Sequence, residues 1–205
     1  MVGVIRMTAV SCLPRIVVGS LLLLAVVLAA PVAAADDSAA LWRGLVSGEY
    51  VALMRHASAP GTGDPAAFRL EDCATQRNLS DAGRAEARAI GERFREHGIA
   101  SATIWSSQWC RCLDTARLLG LGRVAAVPAL NSFFGERADG AAQTAAIVQR
   151  LREPAAGARV LVTHQVNITA LTDVFPASGE IIVVKPGDDA VRVVGRLDPP
   201  RVDHR

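Results

Sequence analysis

The sequence predicts an α/β fold, a three-layer sandwich with a mainly parallel central sheet and helices on both faces. Short apolar runs at 49–55 ("EYVALMR"), 101–107 ("SATIWSS") and 158–164 ("ARVLVTH") alternate with longer stretches of helical character. Strands that alternate with helices of about 10 to 18 residues are the pattern of a parallel sheet built from crossover units. After the N-terminal segment, neither an internal repeat nor a linker interrupts the chain, so a single domain is expected over residues 36–205.

Residues 1–35 read as a signal peptide. Arg6 and Arg15 precede the apolar run Ile16 to Ala30, and Pro31 and the small residues "VAAAD" follow it. A basic start, an apolar stretch and an A-x-A-like site make the secretory pattern, with cleavage after Ala34 or Ala35. A retained anchor is the alternative, but a stable span needs about 20 apolar residues and this run is shorter. The expected location is periplasmic or secreted, with no stable membrane span after cleavage.

The remaining elements follow in order. "SAALWRGLVSG" (38–48) reads as a short helix and 49–55 as the first buried strand. Residues 56–76 are a Gly/Pro-rich loop, and 80–98 form a strong helix that Ser80 can cap and Gly98 can stop. The strand at 101–107 leads into a helix over 109–120, and "VAAV" is a short strand. The loop "PALNSFFGERADG" then precedes a helix over 140–152. The strand at 158–164 is followed by helical "NITALTDVF". "GEIIVVK" and "DAVRVVGRL" are two last strands joined by the turn "PGDD", expected to form an antiparallel edge.

Without Arg6 and Arg15 the mature chain holds 20 basic and 20 acidic residues. Near-neutral charge with no basic block argues against nucleic acid or an anionic membrane surface as the main partner. Any anion must be caught by a few converging cations. Of the four cysteines, Cys12 leaves with the signal, and Cys73, Cys110 and Cys112 remain. An odd number in an oxidising compartment implies one disulfide and one thiol. The "WCRC" pair lacks partners at ligand spacing, so no metal site and no cofactor are expected.

In open parallel sheets, ligands gather beyond the carboxyl ends of the strands. The first strand ends at Arg55-His56, the second runs into Arg111, and a later one ends at His164. Each residue alone has an ordinary structural explanation. Together they bring two arginines and two histidines to one edge, where guanidinium forks match phosphate oxygens. The start of the helix after "SSQ" would add backbone N–H donors. A neutral histidine there can attack phosphorus, the arginines spread the charge, and a second imidazole can donate to a phosphoryl oxygen. Asn78, Arg77 and Asn167 are further candidates for lining the pocket, although capping and turn roles explain asparagine equally well.

"LMRHAS", "LSDAGRAEARAIGERF", "WSSQWCRCLDTA" and "VLVTHQVNI" resemble the histidine phosphatase (phosphoglycerate-mutase-like) superfamily, in matching order over residues 49–170. The resemblance implies that His56 becomes a phosphohistidine, with Arg55, Arg111 and His164 as the phosphate clamp. Ala57 stands where the family usually has Gly after the Arg-His pair. Ser132 stands where an acidic proton donor is expected, and Gln165 follows the second histidine. Glu136 is taken as the general acid, against its reading as an exposed loop residue, and Asp139 is the other nearby carboxylate.

Cys73 and Cys110 flank this chemistry and are expected to form the disulfide, pinning the 57–79 loop against the pocket. Cys73–Cys112, or three free thiols, are the alternatives. The functional expectation is an exported, metal-independent phosphomonoesterase whose partner is a small-molecule phosphate ester or an envelope phosphate group, such as a sugar phosphate. A phosphohistidine or phosphotyrosine phosphatase, or a non-catalytic phosphate-binding module on the same fold, are the other readings.

Overall fold

The computed structural model describes residues 3, 33–135, 137–153 and 155–201. The apolar run at 16–30, the expected signal and Glu136 therefore lie outside the described residues, apart from the segment's last few positions. Among the described residues, no helix is long and apolar enough to cross a membrane.

Among the described residues, five α-helices and six strands follow in the expected order. They are α1 (Ala33–Ser47), β1 (Val51–Arg55), α2 (Asp81–Glu96), β2 (Thr103–Ser106), α3 (Cys110–Leu118) and β3 (Val124–Ala126). Next come α4 (Gly140–Leu151), β4 (Arg159–Thr163), α5 (Gln165–Thr172), β5 (Ile181–Pro186) and β6 (Val191–Leu197). Helix α1 starts earlier than 38, because three consecutive alanines carry strong helical propensity across 33–35. Ser80 caps α2 as expected: its side chain accepts the Gly83 N–H at 3.0 Å.

The strand order is β3-β2-β4-β1-β5-β6. Strands β1 to β4 are mutually parallel, and β5 and β6 form the antiparallel side, with β6 at the edge. Strand β5 therefore lies inside the sheet, bonded to β1 as well as to β6, which explains its fully apolar "IIVV".

Alternation along the strands divides the core into two layers. Ala52, Met54, Ile104, Val160, Val162, Ile181 and Val183 face one side, where they meet Leu45 of α1, Phe94 of α2 and Ala116 of α3. Val51, Leu53, Trp105, Leu161, Ile182 and Val184 face the other, against Ile147 and Leu151 of α4 and Ile168 of α5. Each large side chain so buried contributes roughly 1.5–3 kcal/mol. Burial on both faces is what made these strands read as unbroken apolar runs.

Because the four strands run parallel, Arg55, Ser106, Ala126 and Thr163 all leave the sheet at the same edge. Arg55 and Thr163 are register partners on adjacent strands, so His56 and His164 emerge side by side. The candidate site stands on that juxtaposition.

Candidate active site

His56 is 2% exposed at the end of β1. Its Nδ1 lies 2.8 Å from the Ala57 carbonyl oxygen. A carbonyl only accepts, so Nδ1 carries the ring proton and Nε2 keeps its lone pair. Burial pushes the His56 pKa down to about 3, aided by the charges of Arg111, Arg55 and Arg77 and opposed by the Ala57 hydrogen bond. The ring is neutral at physiological pH. Its backbone is tied to the next strand by the His56 N–H donating to Thr163 at 2.9 Å.

His164 stands opposite, with ring centroids 5.6 Å apart and planes at 70°. Burial, then His56 and the nearby arginines, hold its pKa well below the ordinary histidine value. Arg111 Nη2 donates to His164 Nδ1 at 3.4 Å, which leaves the proton on Nε2, 2.8 Å from Ser107 Oγ. Ser107 in turn donates to Asn131 Oδ1 at 3.2 Å. In this arrangement His164 orients Arg111, and neither ring nitrogen is free to donate to a phosphoryl oxygen as expected above.

The two arginines reach the site differently. Arg55 donates through Nη1 to the Pro176 carbonyl at 2.9 Å. Arg111 is 3% exposed and meets the Asp64 carboxylate with both terminal nitrogens, at 2.7 and 3.2 Å. The Nε donors of both arginines are buried with no hydrogen-bond partner among the described residues. Orphaned buried donors are costly, and a tetrahedral oxyanion between them would satisfy both.

Asp64 was not among the residues singled out from the sequence. Its carboxylate also accepts the Trp109 indole N–H at 3.0 Å and the Arg77 backbone N–H at 3.1 Å. Burial raises its pKa, but hydrogen bonds from Arg111, the Arg77 backbone and Trp109, together with the Arg111 charge, outweigh this and lower it overall. Trp109 itself stacks on Phe68 at 5.0 Å and meets the His164 ring edge-on at 5.4 Å. The only prior signal for either residue was position: Trp109 adjoins Arg111's helix, and Asp64 is a carboxylate in a Gly/Pro-rich loop beside the strand exit.

Three N–H groups leading into α3, where free donors were expected, are already bonded within the protein. Gln108, Trp109 and Cys110 donate to Asn131 Oδ1, Ser107 Oγ and Gln76 Oε1 at 2.9, 3.2 and 2.9 Å. Side chains with no apolar signature intercept these donors, which is why the sequence did not reveal it. Of the other candidates, Arg77 anchors the loop by donating through Nε to Gly63 at 2.7 Å and through Nη1 to Ala59. Asn78 donates to the Cys73 and Gln76 carbonyls, and Asn167 to the Asn131 carbonyl at 2.9 Å, so both serve loop geometry. Ser132 caps the Phe134 N–H at 3.3 Å, and Asp139 is exposed.

Cys73 and Cys110 are joined in a disulfide, with a Cα–Cα distance of 5.7 Å, and Cys112 is a buried free thiol. The bridge fastens the 57–79 loop, which carries Asp64 and Arg77, to the first residue of α3. Burial pushes the Cys112 thiol up to about 12, so it stays protonated beside His164.

Residues 51–142 match the family model of the histidine phosphatase superfamily (branch 1). That span contains Arg55, His56 and Arg111 but ends before His164. A search of curated proteins finds no match. Among solved structures, the chain is similar to a protein from Agrobacterium tumefaciens described as a candidate phosphohistidine phosphatase SixA. The two are 18% identical, with a TM-score of 0.51, over 74% of this chain and 97% of that one. It is similar to mycobacterial hydrolase 1, 19% identical, TM-score 0.52, over 70% and 94% of the two chains. A structure from Escherichia coli described as a candidate α-ribazole-5'-P phosphatase is 17% identical, TM-score 0.51, over 70% and 93%. These likenesses concern the fold.

Proposed function

The chain belongs to the histidine phosphatase superfamily, and from that membership we propose that it hydrolyses phosphate monoesters through a phosphohistidine on His56. One observation carries the reading. The lone pair of a neutral His56 Nε2 and the unpartnered Nε donors of Arg55 and Arg111 share one buried strand edge.

The substrate phosphate docks its oxygens on the two arginines. Nε2 of His56 attacks phosphorus, and the leaving oxygen departs with the electron pair of its P–O bond. Water then attacks the phosphohistidine, the P–N bond returns its pair to Nε2, and inorganic phosphate leaves. Fixed positive charge where the transferring group gathers negative charge is the main catalytic contribution. The built-in cations support a metal-independent reaction.

Export to the periplasm or outside the cell is part of the proposal. The basic, apolar and small-residue order of residues 1–35 supports it, and so does the disulfide, a bond that persists in oxidising compartments. Envelope sugar phosphates are the substrate class that fits such a location. The similar structures carry different stated substrates at equal likeness, so fold does not choose among them.

The purified mature protein is expected to hydrolyse p-nitrophenyl phosphate in EDTA, and His56→Ala to abolish it. Turnover that survives in His56→Ala would remove the mechanism. Vanadate binding without any turnover would instead favour a phosphate-binding module.

A further inference from the structure

The loop after β3, where a proton donor was expected, holds Ser132 engaged with the Phe134 N–H, an exposed Asp139, and Glu136, which lies outside the described residues. Among the described residues, the carboxylate bonded to the clamp is Asp64, which no site expectation included. Its side chain is 16% exposed and spans both terminal nitrogens of Arg111, one of which also reaches His164 Nδ1. We propose that Asp64 is the proton donor to the leaving group, loaded when the substrate's phosphate takes over its hydrogen bonds with Arg111. The inference rests on the phosphatase reading above.

An incoming phosphate changes what surrounds Asp64. The groups facing it are Arg111 and Trp109 from the start of α3 and Arg77 from its own loop. Beyond Arg111 lie His164, His56 and Arg55. While Arg111 is its partner, the carboxylate is ionised. A phosphate dianion that draws the guanidinium toward itself leaves Asp64 next to a like charge in a water-poor site, and that favours the neutral acid. The proton comes from solvent or from the monoanionic form of the ester. Asp64 gives it to the departing oxygen as the N–P bond forms, yielding the alcohol, phosphohistidine and an Asp64 carboxylate. The carboxylate then takes a proton from the attacking water, so phosphate is released and the acid is restored.

Glu86 is the other half-buried carboxyl near the clamp, with its pKa raised by burial. Its Oε2 accepts the Ser58 N–H at 2.8 Å, and its Oε1 fills the space beside Gly179. It is engaged with the loops flanking Arg55 and does not touch Arg111.

The test is leaving-group dependence. With β-glycerophosphate, whose alkoxide needs a proton, Asp64→Asn should lower kcat about 100-fold or more. With p-nitrophenyl phosphate, whose phenolate does not, the loss should stay within about 5-fold. Equal losses on both substrates would make Asp64 only a positioning residue for Arg111 and overturn the proposal, as would an unchanged rate on the alkyl ester. A selective loss in Glu86→Gln instead would move the role to Glu86. Should Asp64→Asn fail to fold, calorimetry of vanadate binding to the wild type, in buffers of different ionisation heat, decides. Uptake of about one proton near pH 7 is expected, and uptake of none would overturn the assignment. Failure of the wild type to hydrolyse either ester would sink the phosphatase reading itself, a distinct outcome.

Discussion

Gly83 lies so close to Ser58 that a methyl group on it would come within 2.0 Å of the Ser58 carbonyl oxygen. The first turn of α2 thus rests directly on the chain that leaves His56. Ser80 N–H, 3.1 Å from the same carbonyl, secures the contact. In an ordinary helix interior, Gly→Ala gains about 0.5–1 kcal/mol. Here the sign reverses, because backbone meets backbone and neither can yield. Gly83→Ala is expected to cost about 1–3 kcal/mol in urea unfolding and to lower p-nitrophenyl phosphate turnover. An unchanged melting temperature would contradict the contact.

Thr115 makes the second support of His56, the proposed nucleophile. Its Oγ1 accepts the Ala57 N–H at 3.1 Å and donates to the Arg111 carbonyl at 2.7 Å. It thereby couples the peptide after His56 to the helix that carries Arg111. Thr115→Val keeps the shape but leaves a buried N–H unpaired, at a cost of about 1–3 kcal/mol. Turnover should fall on the order of 10-fold through misplacement of the imidazole, while Thr115→Ser should recover most of it. A serine variant as impaired as the valine one would show that packing, and not the hydroxyl, matters.

Stability should decline as the solution is acidified from neutrality. His56 is depressed to about 3 in the folded state and titrates near 6.5 when unfolded, and His164 is shifted the same way. Between those values the unfolded chain binds more protons. Stability is therefore complete above about pH 6.5 and is lost progressively toward pH 3, by about 1.4 kcal/mol per pH unit for each buried histidine. Glu86, whose pKa is raised, opposes this near its own range. Urea midpoints from pH 7 to 5 would measure the slope, and His56→Gln should flatten it. A slope unaltered in that variant would mean His56 is not held neutral.

Removing the disulfide should act on stability and on the site together. Closure of the 37-residue separation between Cys73 and Cys110 contributes about 3–4 kcal/mol in the chain-entropy account. Cys73→Ala with Cys110→Ala should lower the urea midpoint accordingly. It should also reduce turnover, since the loop it frees carries Asp64 and Arg77. A stability loss without any change in turnover would separate the bridge from the site.

The element order and the convergence of His56, Arg55, Arg111 and His164 could be read from the chain itself. Apolar periodicity identifies strands, and a parallel sheet delivers every strand exit to one edge, so local pattern and one topological rule suffice. The disulfide partner also followed from proximity to that edge. What the local pattern could not contain is the set of polar contacts that completes the site. Asp64 meets Arg111 across 47 residues, and Gln76 intercepts the Cys110 N–H across 34. Those pairings depend on how a Gly/Pro-rich loop is folded back and fastened, and a loop has no periodicity from which its path could be read. Tertiary structure alone decided that Arg111 has a carboxylate partner, that the N–H groups of Gln108, Trp109 and Cys110 leading into α3 are already bonded, and that His56 keeps its proton on Nδ1.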